Sequence, residues 1–278
     1  MTLAAAALLF AACDKIEPDA DGRYVEYAGA AAIWTETAPL AEAVQRAFVE
    51  KYTGPRCSNC PNADNLLDNA HEALGDKLVM VSITPSWGDG VPFSGQPDMS
   101  TPEGDQWATI IGGGTSMALP FGKLNRTKDY NGAPAFTAVQ TDAQEAMSAG
   151  TKVALDVTAT AMGNTVGIDV TVDFRQDVNK DVSLTLVLTE DSLKYKQHWA
   201  GHSPALVNDY AHNHMLRDII TDVWGVDVPV EGKTGETLKG HFDYTLPEEV
   251  VKANCHIVAF ISEKESRKII NCDESDIQ

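Results

Sequence analysis

FVEKYTGPRCSNCPNADNLLDNAHEAL, residues 48–74, runs from an apolar segment through a Gly-Pro turn and a Cys-Ser-Asn-Cys motif into residues at helical spacing. Phe48, Val49, Tyr52 and Thr53 suit a strand that Gly54-Pro55 brings to an end. Beyond the cysteines, Leu66, Leu67, Ala70, Ala73 and Leu74 recur on one side of a helix, and Gly75 closes it. LVMVSIT at 78–84 is a continuous apolar run of the kind that forms a buried parallel strand. Strand, turn, helix and strand within about forty residues make a parallel crossover unit. Cys57 and Cys60 stand at its first turn.

Three uses compete for a cysteine pair at that point: dithiol exchange, metal ligation and a structural bridge. Exchange needs a thiolate, which a helix N-terminus favours through its unpaired N–H groups and macrodipole. Arg56 adds a neighbouring cation. On this reading Cys57 is an exposed nucleophile, and Cys60, one turn inside the helix, resolves a mixed disulfide. Zinc would need a second set of paired ligands, and Cys255 and Cys272 lie far along the chain without that spacing, so neither metal nor cofactor is expected. A bridge that never turns over remains the rival to exchange.

Outward from the crossover, PSWGDGVPFSGQPDMS at 85–100 reads as an insertion or long surface loop. TPEGDQWATIIGG suits a short helix capped by Thr101 with Glu103 in its first turn. MALPFGKLNR is a strand interrupted by Pro120, and TAVQTDAQEAMSAG is a helix that stops at Gly150. From Thr151 the period changes. VALDVTATAMG, TVGIDVTVDF and VSLTLVLTED alternate apolar and polar residues between Gly, Asn and Asp, the pattern of antiparallel strands in a sandwich. A long polar excursion at 193–225 precedes two further strand-like segments, GHFDYTL and CHIVAFI, and then KIINC. The segments fall into 42–150 and 151–278.

The N-terminus, MTLAAAALLFAAC, is too short to span a bilayer, which takes about 20 apolar residues, but suits a secretory signal. Its LFAAC ending resembles a bacterial lipobox, so residues 1–13 read as a lipoprotein signal segment with Cys13 the lipidated residue. Residues 14–41, opening on DKIEPDADG, serve as tether and lead-in, and the membrane is a partner through the lipid. Export implies an oxidising or redox-managed compartment. Setting Cys13 aside, four cysteines remain for two bridges. Cys255 and Cys272 flank a hairpin around ISEKES; a cross-strand bridge and two buried thiols suit the sequence equally. A net charge of −19, from 21 Lys and Arg against 40 Asp and Glu, with no basic stripe, excludes nucleic acid as a partner.

The order strand, C-x-x-C turn, helix, strand, helix, proline-bearing strand resembles a thioredoxin-like domain. That resemblance implies a cis peptide at Leu119-Pro120 beside the dithiol, with Pro120 a binding element for a protein or peptide partner bearing thiols. Two departures stand out. Arg56 precedes the first cysteine and Ser58-Asn59 separate the pair, and the position of the usual buried acid falls on Lys51, with Glu50 adjacent. EKYTGPRCSNCPNA, LPFGKLNR, YAHNHMLR and NCHIVAFISEKESRKIIN together are similar to the twenty-eight-kilodalton outer-membrane protein family of Gram-negative bacteria. The resemblance implies an α/β thioredoxin-like domain followed by an all-β immunoglobulin-like sandwich, lipid-anchored at the outer membrane on its periplasmic or its surface side.

His198, His202, His212 and His214 lie within QHWAGHSPALVNDYAHNH. Such a set can ligate metal, but in a long connection these residues are expected to bond loop backbone. Trp87, Trp107, Trp199 and Trp224 are expected as core or loop anchors. Two functions follow: an envelope lipoprotein active in thiol–disulfide exchange, and a non-catalytic binding or adhesive lipoprotein whose Cys57–Cys60 bridge is only a scaffold. An exposed Cys57 sulfur favours the first, and a Cys57 sealed beneath the 85–100 loop favours the second.

Overall fold

The computed structural model describes residues 33–278; the leader, Cys13 and the tether up to residue 32 lie outside the described residues. The described residues open on a short strand, β1 (Ile33–Glu36), and reach the expected crossover at β2 (Ala47–Tyr52), α1 (Cys60–Leu74) and β3 (Leu78–Ile83). β2 and β3 pair in parallel from Ala47 opposite Leu78 to Tyr52 opposite Ile83. Pro61 at the start of α1 supplies a helical φ in the turn where a missing N–H costs nothing. Ala63, Leu67 and Ala70 then form the buried stripe. Gly75, at φ 59°, ends the helix in a conformation that side-chain-bearing residues avoid.

The 85–100 segment is irregular and leads to α2 (Pro102–Ile110), where the Thr101 hydroxyl accepts from the Gly104 N–H at 2.9 Å. β4 (Phe121–Leu124) starts immediately after Pro120 and pairs antiparallel with β2; β5 (Lys128–Asn131) lies outside it. α3 (Val139–Ser148) closes this half of the chain.

The other half is built of strands: β6 (Val153–Met162), β7 (Thr165–Phe174), β8 (Val182–Glu190), β9 (Leu193–His198), β10 (Leu206–His212), β11 (Met215–Ile219), β12 (Val226–Asp227), β13 (Thr237–Thr245), β14 (Cys255–Glu263) and β15 (Ile269–Asp276). The polar excursion is therefore not a connection. It holds the β9–β10 hairpin, which forms a sheet of its own, and β11, which joins the largest sheet.

Among the described residues that sheet has nine strands and runs β15-β14-β8-β11-β3-β2-β4-β5, with β12 also paired to β8. Hydrogen bonding therefore continues across the boundary expected at residues 150–151. The seam is narrow: Met215 of β11 pairs in parallel with Ser82 of β3, and the Ser82 N–H donates to the His214 carbonyl at 2.7 Å.

Side chains alternate between the faces of a strand, so this sheet has two different environments. One face carries a continuous apolar layer, from Phe48 and Val81 through Leu216 and Val187 to Val258 and Phe260, with Trp107 of α2 packed on it. Phe48 and Phe260, from opposite halves of the chain, meet at 4.9 Å between ring centroids. The other face is divided. α1 and α3 cover Val49, Leu78 and Met80, and the four-stranded sheet β1-β13-β7-β6 covers Leu184, Leu186, Ile257 and Ile261. Fully burying each such side chain stabilises by about 1.5–3 kcal/mol, so the shared layer binds the halves together.

The same alternation decides between the two expectations for Cys255 and Cys272. Cys255 and Cys272 are free and buried. Cys272 lies opposite Phe260, on the layer shared with α2, whereas Cys255 follows the odd-numbered residues of β14 into the sandwich core. On opposite faces of one sheet they cannot be bridged.

Candidate functional site

Between β2 and α1 the chain turns tightly. The Cys57 N–H donates to the Gly54 carbonyl at 3.1 Å, and the Cys60 N–H donates to the Cys57 carbonyl at 3.2 Å. Cys60 is the first residue of α1 rather than a turn inside it, and the two cysteines are bridged. The exposed nucleophile expected from the sequence is absent. Cys57 is 2% exposed and Cys60 1%.

Two segments seal the bridge. The 85–100 loop closes against the turn so tightly that a Cβ on Gly54 would stand 2.3 Å from the Asp89 carbonyl oxygen. The Arg56 N–H donates to the Asp89 carbonyl at 3.0 Å. The Arg56 guanidinium donates to the carbonyls of Val91 and Pro92 at 2.8 and 2.9 Å and sits 4.9 Å over the Phe93 ring. The cation expected to ionise Cys57 is thus committed to the loop.

The β9–β10 hairpin supplies the second cover. Gln197 Nε2 donates to the Cys57 carbonyl at 2.9 Å and to the Gly54 carbonyl at 3.3 Å. The N–H groups of His198 and Ala200 donate to the carbonyls of Pro55 and Ser58 at 2.9 and 2.7 Å. Trp199 Nε1 donates to Asn62 Oδ1 at 3.0 Å, and the His198 ring meets Phe93 edge-on at 5.0 Å. None of these residues stood out in the sequence as neighbours of the cysteines; their separation along the chain, 143 positions between Gly54 and Gln197, hides the contact.

The Leu119–Pro120 peptide is cis. Pro120 is buried, one residue beyond the end of the β2–β4 ladder at Tyr52–Phe121, and its carbonyl accepts from the Gly132 N–H at 2.9 Å. The two candidates for a buried acid point to opposite faces. Glu50, 0% exposed, is bound by the Arg126 side chain, whose guanidinium lies 4.7 Å over the Trp107 ring and 5.1 Å from that of Phe260. Lys51 points toward α1 and pairs with Asp64.

Beyond Lys51 lies a polar cavity of about 50 Å³, lined among others by Asp64, Asp68, Ser82, Tyr210 and His214. The Tyr210 hydroxyl donates to Asp64 Oδ2 at 2.7 Å; burial and the Asp64 charge hold its pKa above the usual phenol value. Burial, with Asp64, pushes the Asp68 carboxyl upward. His212 and His214 each keep a buried ring nitrogen without a hydrogen bond. Burial and the Lys51 charge push His212 down to about 4, and burial does the same for His214 despite Asp191, so both imidazoles are neutral at pH 7. Such a cavity has room for water. Among the described residues no group of three or more His, Cys, Asp or Glu is placed to hold a metal ion. His202 bonds within its own loop, Nδ1 to the Pro204 carbonyl at 2.9 Å.

A larger groove, about 760 Å³, opens at one end of the sandwich between the 178–182, 227–232 and 263–265 segments. Asp181, Asp227, Glu231, Glu263 and Glu265 line it against Lys180 and Lys264. Its volume falls in the range of small-ligand sites, roughly 300–1,000 Å³.

The family model Omp28, described as outer membrane protein Omp28, matches residues 114–278. No curated protein matches the chain in sequence. Among solved structures, HBP35 of Porphyromonas gingivalis is similar over 85% of this chain and 76% of its own, at 16% identity and a TM-score of 0.67. A protein of Agrobacterium tumefaciens covers 84% of this chain and 95% of its own at 17% identity, with a TM-score of 0.49. A domain of the outer membrane lipoprotein Omp28 from Porphyromonas gingivalis covers 46% and 89%, at 18% identity and a TM-score of 0.31. The first of these shares the fold.

Proposed function

Because the chain belongs to the outer membrane protein Omp28 family, we propose that it is a non-catalytic binding protein of the outer membrane, held there by lipid on Cys13. The Cys57–Cys60 bridge is its internal staple. We read 42–150 as a thioredoxin-like unit and 151–278 as an immunoglobulin-like sandwich. The crossover with the cysteine pair at its first turn supports the former, and the antiparallel strands on either side of one apolar core support the latter.

The observation that supports the scaffold reading over exchange is the 2% exposure of Cys57. A thiol–disulfide partner attacks along the line of the sulfur–sulfur bond and must reach one sulfur. Here the 88–93 and 197–200 segments pack on the turn that carries both sulfurs, and the Arg56 guanidinium is bound to the Val91 and Pro92 carbonyls. Recognition then falls to the sandwich end, where the groove of about 760 Å³ is the largest concavity described above.

The test is a disulfide reductase assay on a protein disulfide substrate, with the wild type and Cys57→Ser side by side. Both should match the uncatalysed rate. Turnover by the wild type that Cys57→Ser abolishes would overturn the scaffold reading and restore the exchange reading.

A further inference from the structure

We propose that the β9–β10 hairpin is a redox-sensitive strap, docked over the turn while Cys57 and Cys60 are bridged and released when the bridge is reduced. The inference rests on the structural reading of the bridge and adds a conformational consequence to it. Three observations carry it.

Among the described residues the hairpin belongs to neither large sheet, and β9 and β10 pair only with each other. A two-stranded hairpin alone is marginal in water, so its place depends on what it docks to. It docks to α1 through Trp199–Asn62 and Tyr210–Asp64, to the 85–100 loop through Lys196–Gln96 and His198–Phe93, and most densely to the bridged turn. Gln197, His198 and Ala200 donate to four carbonyls within residues 54–58, those of Gly54, Pro55, Cys57 and Ser58. All four carbonyls belong to the turn that the bridge closes.

Cys57 and Cys60 are 2% and 1% exposed, so a reductant reaches either sulfur only when part of their cover moves aside. The 85–100 loop is backed by Arg56 and by glycine contacts with no room for a Cβ, which leaves the hairpin as the part that gives way.

The chemistry balances with an external dithiol as reductant. Its thiolate attacks one bridge sulfur and expels the other as a thiolate. The reductant's second thiol then displaces the remaining protein sulfur, and the reductant leaves as a cyclic disulfide. Two electrons and two protons pass to the protein, which ends with two thiols. Linkage makes the coupling reciprocal: whatever holds the hairpin down protects the bridge, and whatever loosens it exposes the bridge. Release also uncovers the polar cavity of Lys51, Asp64 and Tyr210, whose outer wall includes β10.

Two measurements on the full chain test this. The rate of bridge reduction by dithiothreitol, followed by trapping and mass analysis, is compared between the wild type and Gln197→Ala. Loss of the Gln197 bonds to the turn should raise the rate about tenfold or more; a wild-type rate in Gln197→Ala would overturn the proposal. Hydrogen exchange is then measured on the wild type before and after reduction. Amides of 193–212 should exchange at least about tenfold faster when reduced, while those of β6 and β7 keep their protection. Equal protection of the hairpin in both states would also overturn it. Reductase turnover would instead sink the scaffold reading and leave the hairpin coupling to be judged by exchange alone.

Discussion

Glu50 and Arg126 show how much a single buried pair decides. Glu50 is 0% exposed and Arg126 is its partner, stacked among Trp107, Phe260 and Trp224. Removing one member of such a pair leaves an unpaired buried charge and costs about 3–5 kcal/mol. Arg126→Met should therefore lower denaturant stability by that amount, and adding Glu50→Gln should recover much of it. On the acid side His212 contributes, as does His214. His212 has its pKa pushed down to about 4 in the fold, against about 6.5 unfolded. The unfolded chain binds the proton more tightly, so the stability His212 contributes is present above about pH 6.5 and is lost as pH falls toward 4. The melting temperature of His212→Asn should fall less than that of the wild type between pH 6.5 and 4. At this scale the sequence located Cys57, Cys60 and Pro120 within the fold but not their environment. Nothing in GPRCSNC says that Arg56 bonds the loop instead of serving the thiol.

At the scale of elements, the crossover β2-α1-β3 was readable because its signals are local: an apolar run, a Gly-Pro turn, a helical stripe and a closing glycine. The Thr101 cap of α2 was readable for the same reason. β9, β10 and β11 were not, because Lys, His, Asn and Asp outweigh the alternation in that stretch. Only the long-range contacts to the turn and to Ser82 make strands of it. Sealing by the 85–100 loop is equally non-local, and it rests on the close approach of Gly54 to Asp89. Gly54→Ala should force the loop outward, destabilising by about 1–3 kcal/mol as overpacking does. Thermal unfolding checks the cost. Iodoacetamide labelling after brief mild reduction should then detect Cys57 in Gly54→Ala before it does in the wild type.

For the whole molecule, the change of hydrophobic period near Thr151 correctly marks where helices give way to strands. Sheet hydrogen bonding continues across it. β3 and β11 join the two halves in one sheet, and Phe48 packs on Phe260 across the seam. The parallel pairing of Met215 with Ser82 has no local sequence signal. A continuous sheet and a shared apolar layer should unfold as one unit, so calorimetry should give a single transition whose van't Hoff and calorimetric enthalpies agree. Two resolved transitions would show that the halves fold separately.

The proposed function and the strap both turn on the bridge being closed to other molecules in the native state. The most direct measurement is equilibration of the native protein in glutathione buffers of graded potential, with trapping of free thiols at Cys57 and Cys60. A structural bond should stay oxidised throughout, with a potential below about −300 mV. Ready reduction of the native protein near the potentials of exchange enzymes, about −270 to −120 mV, would contradict the account.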